Sequence, residues 1–155
     1  MATSRVPAAI DALLAILDAA PGLDGVKVVD GPVSIDFTER QVLYVGWQPD
    51  GESAVTLTQD FADAGARRRD EDFVIGCYAE SRSGDKGAAK LHRDRVFAIV
   101  AVVETALRAT NDAPDAPTLN GTVQWAHVTA GDLSQRQDAG TIAGLQFFVT
   151  CRARL

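Results

Sequence analysis

The sequence predicts an α+β fold, a mostly antiparallel sheet with two helices packed on one face. Two stretches, Val6–Ala19 and Asp85–Ala109, place apolar residues at helical spacing. Six shorter ones, rich in β-branched and aromatic residues, read as strands. Short turns join most of those strands, whereas parallel neighbours need long crossovers. Antiparallel pairing with the helices gathered on one side is therefore expected. At 155 residues the chain is one domain, 1–155, able to bury about two-thirds of its unfolded surface.

In the first helix Val6, Ile10, Leu13, Leu14 and Leu17 share a face opposite Asp11 and Asp18. Ser4 is a candidate N-cap, Pro7 is tolerated in the first turn, and Pro21-Gly22 ends the helix. Val26–Val29 is a short strand closed by Asp30-Gly31-Pro32, followed by a loop, 33–40, with a little extended structure. Gln41–Gln48 and Ala54–Thr58, joined by Pro49-Asp50-Gly51, read as a hairpin. Phe61–Asp72 has no apolar period and reads as an exposed loop. In the strand Asp72–Ser81, Phe73, Ile75, Cys77 and Ala79 alternate with Val74, Gly76, Tyr78 and Glu80, which gives one core face.

The central element is the long helix. Leu91, Val96, Ile99, Val100, Val103 and Leu107 form a stripe that Phe97, Ala101 and Val102 widen until the middle is apolar nearly all round. Burial on most sides is expected, over about 24 residues and about 36 Å. Ser83 or Asp85 is the expected cap, and Lys86, Lys90, His92, Arg93, Asp94 and Arg95 keep the first turns polar. Val100→Asp should abolish folding, because an unpaired buried carboxylate costs several kcal/mol. After the Pro/Asp linker Asn111–Leu119, the strands Thr122–Ala130 and Thr141–Arg154 face each other across a polar connection, Gly131–Gly140. Leu145, Phe147, Val149, Cys151, Ala153 and Leu155 make the core face of the last strand.

Hydrophobic residues make up 46% and charged residues 23% of the chain, the balance of an ordinary globular protein. A net charge of −6 and a pI near 4.8 argue against sequence-independent nucleic-acid binding, which depends on neutralising phosphates. Cys77 and Cys151 lie in apolar runs without CxxC spacing, as reduced, packed thiols do in the cytosol. Asp11 and Asp18 interrupt the apolar run 8–20, unlike a signal peptide, and no run approaches membrane-spanning length. The expected setting is the cytosol.

Signals for catalysis are sparse. His92 reads as a solvated helix residue and His127 as a sheet residue making one hydrogen bond; with two packed cysteines they make no zinc site. Ser81 or Ser83 can be combined on paper with His92 and an aspartate, but no GxSxG elbow is present. Ser83-Gly84-Asp85-Lys86 matches S-x-x-K without its companion motifs, and reads as a helix N-terminus. Neither GxxxxGK[ST] nor GxGxxG occurs, so nucleotide binding has no support. Asp70-Glu71-Asp72 sends successive side chains to opposite faces and reads as a solvated acidic cluster.

One charged block remains, Arg67-Arg68-Arg69-Asp70-Glu71-Asp72. It reads either as a solvated loop or as an interface element that meets the opposite signs on a second copy, for which forked arginine donors are suited. Head-to-tail contacts of that kind close into rings when the rotation permits.

The order of elements carries more than any motif: amphipathic helix, strand, hairpin, loop, strand into long helix, two closing strands. Ser134-Gln135-Arg136-Gln137-Asp138 precedes the final strand, which holds Phe147-Phe148-Val149 and Cys151-Arg152-Ala153-Arg154-Leu155. In these respects the chain resembles, over nearly its whole length, the tail terminator proteins of long-tailed bacteriophages, particularly those infecting actinobacteria. The resemblance implies a tail-tube-like subunit and a homo-oligomer, a hexameric ring on the head-proximal end of the tail tube. Such a ring stops tube polymerisation, docks the neck or head–tail connector protein, and surrounds a channel that DNA crosses without specific binding. The implied partners are tail tube protein and neck protein; no catalytic residue, cofactor, metal or membrane is implied. The implied location is the virion, after assembly in the host cytoplasm. An acidic channel wall would not retard DNA. Arg82, Lys86, Lys90 and Arg93 are then candidates for contact with another ring layer. The alternatives are another neck or head–tail completion protein, and a small ligand-binding domain or enzyme built from scattered residues.

Overall fold

In the computed structural model, which describes residues 3–32, 38–61, 64–65, 67–137 and 140–155, two long strands run through the middle of a six-stranded sheet. They are β4 (Arg69–Ser83) and β6 (Thr141–Arg154), antiparallel from Asp70 opposite Arg154 to Ser83 opposite Thr141. Their alternation explains the pairing. Phe73, Ile75, Cys77 and Ala79 on β4, and Leu145, Phe147, Val149, Cys151 and Ala153 on β6, are all buried on one face. β5 (Trp125–Gln137) flanks β6 and carries a bulge between Val128 and Ala130. On the other side β4 is flanked by β2 (Gln41–Val45), and β1 (Lys27–Asp30) joins β2 in parallel.

The expected hairpin is absent. β2 and β3 (Val55–Phe61) do not pair with each other; both pair antiparallel with β4, β2 along 77–81 and β3 along 69–75. They are two pieces of one edge, separated by the excursion 46–54. Gly76 is the switch point: its carbonyl accepts the Gly46 and Trp47 N–H groups, and its own N–H donates to Ala54. Gly46 turns the chain off the ladder at φ 70°, and Asp50 and Gly51 bring it back at φ 65° and 74°. β4 is long enough to serve both pieces, and that arrangement buries Leu43 and Val45 completely.

Strands also replace two expected connections. β3 reaches Phe61 and β4 begins at Arg69, so Asp70, Glu71 and Asp72 stand in a ladder and not in a loop. β5 continues to Gln137, which makes strand of most of the expected connection after Gly131. Both segments are mostly polar, and paired backbone holds them in the ladder where the alternating apolar face thins out.

α1 (Val6–Asp18) and α2 (Ala89–Ala106) cover one face of the sheet. α1 buries Ala9, Ala12, Leu13 and Leu17. Arg5, not Ser4, occupies its N-cap position, while the Ser4 hydroxyl accepts the Val6 N–H at 3.0 Å. α2 is shorter than expected and begins at Ala89, with Ala88 in the N-cap position and no side-chain cap. It is also buried on one side only. His92, Val96, Ile99 and Val103 face the core, whereas Leu91 and Phe97 are each 49% exposed and Val100 is half-buried. Among the described residues two helices lie on the sheet and no layer covers the outer side of α2. The sealed position expected of Val100 belongs to Val103, which is 0% exposed.

The helix-free face holds a cluster of Tyr44, Trp47 and Tyr78, with ring centroids 4.7 to 5.9 Å apart. Cys77 and Cys151 are free and buried, and burial pushes each thiol up to about 12. Among the described residues no helix is long and apolar enough to cross a membrane.

Candidate functional site

The charged block divides into an exposed part and an internal part. Arg67 and Arg68 are exposed. Arg69 is half-buried: its backbone pairs with Leu155 in both directions, and its Nη1 donates to Gln59 at 3.2 Å. Asp70 accepts from Arg154 Nε at 2.6 Å and lies 3.4 Å from Arg152, which also reaches Asp72 at 3.4 Å. Register causes this, since Asp70 stands opposite Arg154 and Asp72 opposite Arg152. The Arg154 bond, more than the Arg152 charge, holds the Asp70 carboxyl below its ordinary value.

Glu71 corrects the solvated-cluster reading most sharply. It is 0% exposed. Its two oxygens accept the Arg5 backbone N–H at 2.8 Å and the Gln59 side-chain amide at 2.6 Å. Period-two alternation turned it inward between two outward aspartates, so three adjacent acids occupy two environments. Among the described residues no group of three His, Cys, Asp or Glu side chains is placed to hold a metal ion.

The second predicted group gathers at the opposite end of β4. Arg82 and Ser83 line a cleft of about 400 Å³ with Thr38, Arg40, Gly84 and Ile142. Lys86 and Lys90 are exposed and Arg93 is half-buried; Lys90 pairs with Asp94 one turn on. A strand of 15 residues separates the two charged groups by about 50 Å at roughly 3.3 Å per residue.

His92 is not solvated. It is 0% exposed and sits between two hydroxyls, Ser81 Oγ at 2.7 Å from Nδ1 and Ser83 Oγ at 2.9 Å from Nε2. The pair joins the end of β4 to the first turn of α2. Burial lowers the imidazole below its ordinary value, the Arg95 and Arg40 charges lower it further, and Asp85 opposes them. The Ser81/Ser83/His92 grouping conceivable on paper is thus assembled, but with a second hydroxyl where a catalytic set has a carboxylate to stabilise imidazolium. Sequence reasoning missed it because His92 falls among charged neighbours; the helical offset to Val96, Ile99 and Val103 was the available signal. His127 is exposed and stacks on Trp125, with centroids 5.2 Å apart.

On the other side of α2, Phe97 and Val100 form a groove of about 490 Å³ with Val128, Leu133, Leu145 and Phe147 of the sheet. On the helix-free face, Gln48 lies across Gly76 and its Nε2 is buried without a partner among the described residues. No protein-family model matches the chain, and no curated protein matches it.

Proposed function

We propose that the chain is a structural subunit of a phage tail, a tail terminator that forms a ring on the head-proximal end of the tail tube. One observation carries the reading: exposed charged side chains stand at opposite ends of the long strand β4, Arg67 and Arg68 at one and Lys86 and Lys90 at the other. A protein joined to tube on one side and neck on the other requires two such separate polar surfaces. The α+β architecture supports the same reading, since it is the class that a tube-like subunit has. In this role the hexameric ring halts tube growth, seats the neck protein, and leaves a channel for DNA. Its places are the assembling particle and the virion, and it needs no cofactor.

Tails assembled without the protein test the role. Overlong tubes are expected; tails of normal length that lack heads would transfer the chain to neck completion. A second reading, a small enzyme, rests on Ser83 beside His92 at the mouth of the Arg40–Arg82 cleft. Turnover of an activated ester that disappears in Ser83→Ala would favour it.

A further inference from the structure

Five large apolar side chains are exposed among the described residues, Leu57, Phe61, Leu91, Phe97 and Leu133. Four of them flank two edge strands of the sheet, β3 and β5. β3 carries Leu57 and Phe61, 45% and 72% exposed, and among the described residues pairs with no strand but β4. β5 ends the sheet on the other side. Its residues 129–137 are exposed throughout, and its Leu133 faces Phe97 of α2 across the apolar groove. Unpaired edges of this length offer rows of N–H and C=O groups to a further strand.

Register places both apolar sets on one face. Leu57 stands opposite Phe73 and Phe61 opposite Arg69, so both lie on the helix side of the sheet. Leu133 stands opposite Leu145, on that same side. A β3 strand added beside β5 therefore carries Leu57 and Phe61 to the groove in one of its two pairing phases. The lengths agree: seven residues, about 23 Å at roughly 3.3 Å each, against the exposed stretch 129–137. Arg67 and Arg68, exposed near Phe61, would approach the exposed Asp132 on β5 and Glu104 on the groove rim, which pairs with Arg108 in its own chain.

We propose that β3 of one copy pairs with β5 of a second copy, seating Leu57 and Phe61 in the groove walled by Phe97 and Leu133. The identity of the partner rests on the ring reading; the surfaces do not. The two edges differ, so the contact is head-to-tail and closes into a ring or propagates. It places Arg67 and Arg68 at the subunit boundary, with the acids of the same block engaged within their own chain.

Phe61→Asp and Phe97→Asp each disable one edge at an exposed position, and circular dichroism verifies that each variant folds; Leu57→Lys is a second variant of the first edge. Light scattering after size exclusion, with and without tube protein, gives the masses. The wild type should assemble, each variant should lose at least tenfold of the assembled population, and an equal mixture of the two should give a one-to-one dimer, since each retains one intact edge. Assembly of both variants like the wild type overturns this pairing and leaves the ring reading standing. A mixture that stays monomeric overturns the head-to-tail contact. A wild type that is monomeric under both conditions overturns the ring reading together with this one.

Discussion

The backbone N–H of Arg5, at the start of α1, donates to the buried carboxylate of Glu71 at 2.8 Å across 66 residues of sequence. Gln59 of β3 donates to the other oxygen, so one side chain fastens a helix N-terminus and an edge strand to β4. The positive end of the helix dipole favours that carboxylate.

Glu71→Gln should therefore destabilise the fold by about 1–3 kcal/mol, because an amide donor then faces a donor in a site closed to water. The urea midpoint measures it. A variant within a few tenths of a kcal/mol of wild type would show that the carboxylate is dispensable.

The His92 contacts predict a pH dependence. A folded-state pKa held below 6.5 means that the unfolded chain binds more protons once pH falls below about 6.5, so stability declines from there downward. Above that value the contribution is complete. His92→Gln should flatten this limb while lowering stability at pH 8 by about 1–2 kcal/mol. Asp70, with its carboxyl held below the ordinary 3.8, contributes a separate loss at pH below about 4, so denaturation curves at pH 8, 6, 5 and 3 resolve the two. A limb equally steep in His92→Gln would assign the proton elsewhere.

Packing around α2 is one-sided, and neighbouring residues should respond unequally. Ile99→Ala, at a position 3% exposed, should cost about 2–5 kcal/mol. Val100→Ala, half-buried at the groove, should cost no more than about 1 kcal/mol. Equal losses would mean that the outer side of the helix is covered.

Gly144 sits beneath the Tyr78 ring, which occupies the space a Cβ would need. Gly144→Ala should cost about 1–3 kcal/mol through overpacking and alter the near-ultraviolet signal of the Tyr44–Trp47–Tyr78 cluster. Gly84→Ala, with nothing within 4 Å of its Cβ, is the control and should be close to neutral.

Where one face meets core and the other does not, the sequence is legible. The alternation in Phe73–Ala79 and Leu145–Ala153, and the spacing in Val6–Leu17, led directly to β4, β6 and α1, and to the α+β class. The misplaced parts are those in which tertiary partners override local pattern. Nothing in Gln41–Thr58 distinguishes a hairpin from two strands laid end to end on β4, because both satisfy the same alternation. Charge hid the β4 start, where Glu71 accepts hydrogen bonds from the start of α1 and from β3 that no local window contains. Apolar composition overstated the burial of α2, since it registers the residues and not the layer that would have to lie above them. Residues 33–37 of the expected loop 33–40 fall outside the described residues.

The central position of β6 sets an order for making the molecule. Both strands that it joins, β4 and β5, precede it in the chain, and the β4–β6 ladder links residues as far apart as Asp70 and Arg154. Such long-range closure slows folding, and before it happens β5 has no strand to lie against. During synthesis the first helix and β1 to β4 emerge early with their apolar faces open, yet the β5 edge does not exist until the last ladder zips. Before that closure the chain carries the β3 edge without the β5 edge, so the pairing proposed between the two waits for the last ladder.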